Sequence, residues 1–490
     1  MRFRLGLLLL SMPSLVGCHF DEPFVGGPPC DSPNRAAWVA SSTAGAAGAS
    51  AAEPQAPPVI VDADNAQAPE DRAEQDVPTV VPASFEDTVA SDAETPSLDT
   101  LEQTALANNP SVARAQARVD AVWGKWQQVG LLPNPLVGYQ GEEMGDSGTY
   151  GQQGGYVAQR FVRGGKLRLN RSVAEREIAQ AQFQLAAQQT RVVTDVRIGF
   201  NEFLVACRRV TLAEELVAIA DKAAEDTAEL LRRGEVPRAN LLRAEAESAS
   251  VAILLNNARN ERLATWRRLV AVTGRRDLPM PEYDKATVQQ RVEEAAQRVI
   301  DHDEALNRLL AESPQIGAAY ANVERARCAV QQACAQGIPD VTVQASIRHD
   351  NAGRQTLAGV QTFMPIPIFD RNQGGVHQAQ AQLIAAERSA QSLELSLSRQ
   401  FELVFQRYAN ARSQVQQYTA ANDGILAKTG ESLRLTTVGY EAGEFSSLEM
   451  LTAQRIFNQA NIAYINALKE VWSAASEIEG LLLKGSLDQP

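Results

Sequence analysis

No apolar run in this 490-residue chain reaches 18 residues, so no α-helix able to span a bilayer is expected. Base is short relative to acid, with 46 Lys and Arg against 59 Asp and Glu and a net charge of −13. No segment concentrates basic with aromatic side chains, which excludes a nucleic-acid footprint. Histidine is scarce: His19, His302, His349 and His377 lie far apart, and none stands at ligand spacing with a cysteine or carboxylate, so no metal centre is assigned. A phosphate loop, a nucleophile motif and paired catalytic carboxylates are all missing. The chain is therefore not read as an enzyme, and no catalytic residue or cofactor is expected. Of the cysteines, Cys328 and Cys334 lie six apart on a predicted helix and point to different sides. A disulfide between them would be strained, and both read as small buried residues.

What the chain does contain begins with Arg2 and Arg4 ahead of the apolar run Leu5 to Leu10, closing with Leu15, Val16, Gly17 and Cys18. This is the layout of a secretory signal over residues 1–17. Its end resembles the bacterial lipobox, which implies cleavage before Cys18, lipid on that cysteine and a membrane anchor outside the cytoplasm. Residues 18–96 are rich in Ala, Pro, Ser, Asp and Glu without a hydrophobic period. Such a segment cannot bury enough apolar surface to offset its ordering entropy, so it is expected to be a disordered tether.

The stretch from Gly164 to Ala246 reads as one very long helix, a tight turn at 234–238 and the start of a returning helix. Ile178, Leu185 and Val192 recur every seven residues, as do Val196, Phe203, Val210 and Val217, with Gly199, Ala206, Ala213, Ala220 and Ala224 filling the seam. A sustained heptad seam packs a helix lengthwise against other helices. In a second long helix Leu393, Leu397, Phe401, Val404, Tyr408, Ala411, Val415 and Tyr418 follow at steps of three and four.

The chain also says the same thing twice. Asn109-Pro110 recurs as Ser313-Pro314, Leu132-Pro133 as Ile338-Pro339, Phe161 as Phe369, and Gly234-Glu235 as Gly443-Glu444. The offset drifts only slightly, so two equivalent halves are expected, 97–285 and 286–490. Each half reads as a helix, two strands, a very long helix, a turn and a returning helix. Strands are expected at about 136–142, 156–162, 340–348 and 356–364. Val341, Val343, Ala345 and Ile347 alternate with Thr342, Gln344, Ser346 and Arg348, the pattern of a strand with one apolar face. Strands of this length suit a tilted transmembrane β-barrel, yet the smallest such barrels need eight, so four strands require oligomerisation. A soluble sheet capping a helical bundle is the alternative.

The lipobox, the duplicated strand pair with helical hairpin, Pro133-Asn134-Pro135 before the first strand and the stretch Pro365 to Gly374 together resemble the TolC-like outer-membrane efflux family. The likeness covers about Leu98 to Leu483. It implies a mainly α fold with a β-barrel portion: a homotrimer with a twelve-stranded barrel in the outer membrane and an α-helical barrel in the periplasm. Its implied partners are a periplasmic adaptor, an inner-membrane resistance-nodulation-division pump and outer-membrane lipid. The run Phe369-Asp370-Arg371-Asn372-Gln373-Gly374 is most similar to the heavy-metal branch, although drug-exporting relatives carry similar turns.

The resemblance also implies roles at two hairpin tips, 234–238 and 443–447. Gly234, Val236, Arg238, Gly443, Phe445 and Ser446 would contact the adaptor. Six residues past each tip glycine the family often carries a carboxylate at the pore constriction. Here that position is Glu449 in the second half and Asn240 in the first, leaving one acid per chain instead of two. The competing reading from another class is a structural or adaptor-like periplasmic coiled-coil lipoprotein without a pore. An adaptor has one helical hairpin, whereas two hairpins, each after a strand pair, favour the duct.

Overall fold

The computed structural model describes residues 96–143, 151–283, 288, 299–420 and 423–487. The signal, Cys18, Cys30, His19 and almost all of the tether lie outside the described residues. Two short helices open the described chain, α1 (Leu98–Asn108) and α2 (Pro110–Val129). A single opening helix was expected, and the break follows from Pro110, which cannot donate to the helical ladder. Asn109 caps α2 instead, its side-chain oxygen accepting from the Ser111 N–H at 2.9 Å. Pro314 likewise divides α5 (His302–Glu312) from α6 (Pro314–Gln336), where Ser313 holds the cap position without a side-chain capping bond.

Strands β1 (Leu136–Glu142) and β2 (Gln152–Phe161) follow α2, and β3 (Val341–Asp350) and β4 (Gln355–Phe363) follow α6. Strand β2 begins four residues before its expected start, with Gly154 and Gly155 inside the ladder rather than in the turn. All four strands form one antiparallel sheet in the order β1-β2-β3-β4.

Helix α3 (Lys166–Arg232) has 67 residues, about 100 Å at 1.5 Å per residue. Gly164 and Gly165, both at positive φ, turn the chain from the strand into it. Ile178, Val192, Val196, Phe203, Val210, Ala213 and Ala220 of the heptad seam are buried. Helix α4 (Arg238–Thr273) returns along α3, and Phe203 packs between Trp266 and Tyr283, with ring centroids 5.1 and 6.1 Å away.

The second long helix was expected to run unbroken, and it does not. It is divided into α7 (Gln373–Thr419) and α8 (Ile425–Glu441), with Ala420 and Gly424 in extended backbone. The sequence Asn-Asp-Gly over 422–424 places three poor helix formers in succession, which favours a break there. Leu397, Phe401, Val404, Tyr408, Ala411 and Val415 are buried on α7. Helix α9 (Ser447–Glu479) then packs against α7, α8 and α3. Cys328 is buried, but Cys334 is exposed and Cys207 half-buried, so the expectation of two buried cysteines on α6 holds for Cys328 alone.

Candidate functional site

Both helical turns are built the same way. Gly234 (φ +77°) and Gly443 (φ +75°) sit just past the ends of α3 and α8 in the left-handed conformation that glycine adopts without strain. At the first tip Glu235 N–H donates to Leu230 O at 3.0 Å and Gly234 N–H to Leu231 O at 2.9 Å. At the second, Glu444 N–H donates to Gly439 O at 2.8 Å and Gly443 N–H to Tyr440 O at 3.0 Å. These paired bonds form the Schellman motif, which satisfies the last carbonyls of each helix.

The two tips lie at the same end of the bundle. Thr227 on α3 and Tyr440 on α8 share a buried hydroxyl contact of 3.2 Å, and Tyr440, Met450 and Leu451 form a small core with Ala223 and Leu230. Arg455 on α9 reaches Glu247 on α4 at 2.9 Å, tying the returning helices together. Gly234, Arg238, Gly443, Phe445 and Ser446 are exposed at the tips, and Val236 is half-buried. The Phe445 ring lies over Gly439, where a Cβ would collide with it at 2.2 Å.

Where the tips differ is at the start of the returning helix. Ser446 caps α9 in a complete capping box with Glu449: the Glu449 N–H donates to Ser446 Oγ at 3.3 Å, and Glu449 Oε2 accepts from the Ser446 N–H at 2.7 Å. The Ser446 Oγ–H also donates to Glu449 Oε2 at 2.8 Å. The backbone and then the side-chain bond from Ser446 pull the Glu449 carboxyl below the ordinary carboxylate range. At the first tip Pro237 and Asn240 hold these two positions, and Pro237 offers no side-chain cap. Glu449 is exposed and Asn240 half-buried. The acid singled out for a constriction is thus also a helix-capping residue.

The sheet at the opposite end of the long helices has two distinct faces. The register aligns Val137, Val157, Ala345 and Val360 in one row across the four strands, with Tyr139, Gly155, Ile347 and Ala358 in the next row on that face. This is the apolar face, and it is bare: Val360 is 74% exposed, Val137 73%, Tyr139 66% and Ile347 65%. The other face carries Gln140, Glu142, Gln344, Arg348 and Gln361, with Arg348 paired to Glu142 at 2.7 Å. A sheet covering a water-soluble core would bury its apolar side and expose its polar one. Here the apolar side is the exposed one, and among the described residues no further strand pairs with the edges β1 and β4.

Two clusters escaped the sequence. Asp340, just before β3, accepts from Lys166 Nζ at 2.9 Å, from Arg160 and from the Arg163 N–H at 3.2 Å, binding the base of the sheet to the start of α3. A lone acid after Ile338-Pro339 was the only signal for it. His302 holds Asp303 at 2.8 Å and Glu402 at 3.0 Å with its two ring nitrogens, against the rings of Phe401 and Phe405. The bonds to Asp303 and Glu402 raise its pKa. Both nitrogens are occupied, and among the described residues no group of three or more His, Cys, Asp or Glu side chains is arranged to hold a metal ion. Among the same residues no helix is long and apolar enough to cross a membrane.

Comparison with known proteins bears directly on this arrangement. The family model described as outer membrane efflux protein matches residues 101–275 and 305–482, well over half of the chain. The chain belongs to the outer membrane efflux protein family. Among curated relatives, the cobalt-zinc-cadmium resistance protein CzcC of Cupriavidus metallidurans is 27% identical over 383 residues, covering 77% of this chain and 88% of that protein. The nickel-cobalt-cadmium resistance protein NccC of Alcaligenes xylosoxydans xylosoxydans is 25% identical, over 62% of this chain and 68% of its own length. Among solved structures, the outer-membrane channel OprN superposes with a TM-score of 0.65 at 18% identity, over 79% of this chain and 90% of that one. The outer membrane protein VceC from Vibrio cholerae gives 0.63 at 19%, over 79% and 96%. The fold of this efflux protein is therefore that of the TolC-like outer-membrane channels.

Proposed function

We propose that this efflux protein is the passive outer-membrane duct of a tripartite export system for divalent heavy-metal cations. The observation that carries the reading is the bare apolar face of the sheet, aligned across four strands whose two edges pair with no other strand among the described residues. Such a face suits hydrocarbon, and unpaired strand edges suit closure by further copies. Three copies supply twelve strands, enough to close a barrel with the polar face lining the lumen. The long helices then form a tube in the periplasm. The twofold match of the family model supports the reading of two equivalent halves. A lipid on Cys18 would anchor the tether to the outer membrane, and the names of the relatives, which speak of cobalt, zinc, cadmium and nickel resistance, support metal cations as cargo.

In this reading a periplasmic adaptor engages the tips at Gly234, Val236, Arg238, Gly443, Phe445 and Ser446, and a resistance-nodulation-division pump in the inner membrane drives transport. Glu449 contributes a ring of three acids at the constriction, with Asn240 neutral at the same level. Acids that face one another resist ionisation, and the capping bonds from Ser446 oppose this by favouring the carboxylate. A charged ring attracts cations while a duct without tight sites lets them leave.

The test is single-channel conductance of the purified protein in planar bilayers, with its mass measured in the same detergent. Discrete conductance steps from a trimer are expected, together with metal sensitivity of a strain lacking the protein. A folded monomer that never conducts would replace the duct with a structural lipoprotein.

A further inference from the structure

Where the sheet meets the long helices, three chain segments converge. Ile338 packs on Gly164 and the Arg371 carbonyl oxygen on Gly337, 2.8 and 2.6 Å from where a Cβ on each glycine would stand, and Arg163 reaches Met364 Sδ at 3.7 Å. The surface they form is both basic and apolar. Arg160, Arg163, Lys166, Arg168 and Arg371 stand against two carboxylates, Asp340, taken by Lys166 and Arg160, and Asp370, which accepts from the Asn372 N–H at 2.9 Å. Arg163, Arg168 and Arg371 are exposed, and none has a carboxylate partner among the described residues. Beside them Ile366 is 75% exposed and Phe369 88% exposed, on a loop that Pro365 and Pro367 keep out of helix and strand.

Large apolar side chains left in water are unfavourable for a surface that meets only solvent, and the cations beside them give any partner that covers the loop a reason to be anionic. Arginine and aromatic side chains are also at home in interfaces between copies, and the oligomer mass of the variants separates that cover from lipid. A lipid headgroup region satisfies both: the loop enters the acyl boundary while each arginine extends its guanidinium to a phosphate. The patch also sits at the helical end of the bare apolar sheet face, the level of headgroups if that face is in hydrocarbon.

We propose that Arg163, Arg168 and Arg371, with the apolar loop 365–369, form a binding site for anionic phospholipid in the periplasmic leaflet of the outer membrane. The proposal rests on the duct reading, since it needs the sheet to lie in the bilayer. It goes beyond that reading by making one lipid class a specific ligand. Anchoring at this level would fix the sheet's depth and hold the starts of α3 and α7 in register with the membrane.

The experiment is native mass spectrometry of the full-length protein in detergent, titrated with dioleoyl phosphatidylglycerol or dioleoyl phosphatidylcholine, with oligomer mass read from the same spectra. The wild type is expected to retain phosphatidylglycerol at least tenfold more strongly, and the preference should shrink as salt is raised. Each single substitution among Arg163→Gln, Arg168→Gln and Arg371→Gln should cost about fivefold and the triple variant the whole preference, while Arg168→Lys keeps it. Equal retention of the two lipids by a conducting wild-type trimer would overturn this proposal and leave the duct reading intact. So would a preference unchanged in the triple variant, or a triple variant that is monomeric, which would make the patch an interface between copies. A wild type that is itself a non-conducting monomer would overturn the duct reading and this site with it.

Discussion

Replacing Val360 with arginine separates a membrane barrel from a soluble sheet by a single side chain. Val360 is 74% exposed in the chain, on the face it shares with Val137, Val157 and Ala345. Were that face in water, Val360→Arg would change stability by no more than about 0.5 kcal/mol, as exposed substitutions ordinarily do. In hydrocarbon an arginine costs about 2–4 kcal/mol at the midplane and close to nothing at the interfaces. Val360 precedes the end of β4 at Phe363 by three residues, so at about 3.3 Å per residue it stands roughly 10 Å along the strand from the helical end. Strand tilt brings it about 7–8 Å above the interface, part-way to the midplane, where a cost near 2 kcal/mol, about thirtyfold in the folding equilibrium, is expected. The control is Gln361→Arg, one residue on, which faces the polar side opposite Gln344 and should insert like wild type. Urea titration of protein refolded into liposomes gives the free energies, and the fraction of heat-dissociable trimer in outer membranes reports assembly in cells. Equal behaviour of Val360→Arg and wild type would refute the membrane assignment of this face.

Replacing Gly443 and Phe445 together is expected to abolish export while trimer mass stays unchanged; normal metal export from that variant would remove the tip assignment. Gly443→Ala alone should cost about 1 kcal/mol through backbone strain, since a Cβ there meets nothing within 4 Å and only the positive φ opposes it. Thermal unfolding would measure that cost, and Gly443→Asn should recover part of it. Ser446→Ala removes the cap of α9 and should cost about 1 kcal/mol. The Glu449 carboxyl, held low in the folded chain by Ser446, adds stability above its ordinary pKa that is lost as pH falls through the folded value. Protection factors of the amides at 448–451, taken relative to the intrinsic exchange rate at each pH, should therefore fall on acidification in the wild type and show no such step in Glu449→Gln. Phe203→Ala, at a fully buried ring between Trp266 and Tyr283, should cost about 3–5 kcal/mol, and a chemical-denaturation midpoint unchanged from wild type would contradict the packing described.

By itself the sequence determined most of the elements and their order, though not the division of α7 from α8, because these depend on neighbours along the chain. A period near three and a half drew out α3 and α7, and alternation drew out β3. Glycines able to hold positive φ marked both tips, and prolines marked the ends of the strands. The duplicated Pro110 and Pro314 were visible too, although that they break the opening helices was not anticipated. Tertiary structure decided what depends on residues far apart. Alternation declares two faces of a strand, but which face is left bare depends on what packs against the sheet, and here neither α3 nor α7 covers Val360 or Ile347. Position 449 could be matched to its counterpart Asn240 in the sequence, yet its capture by Ser446 required the helix to begin where it does. Asp340 met Lys166 and Arg160, and His302 met Glu402, across separations of 100 residues or more. No local period encodes such meetings; they arise from the way the long helices bring the two halves of the chain side by side.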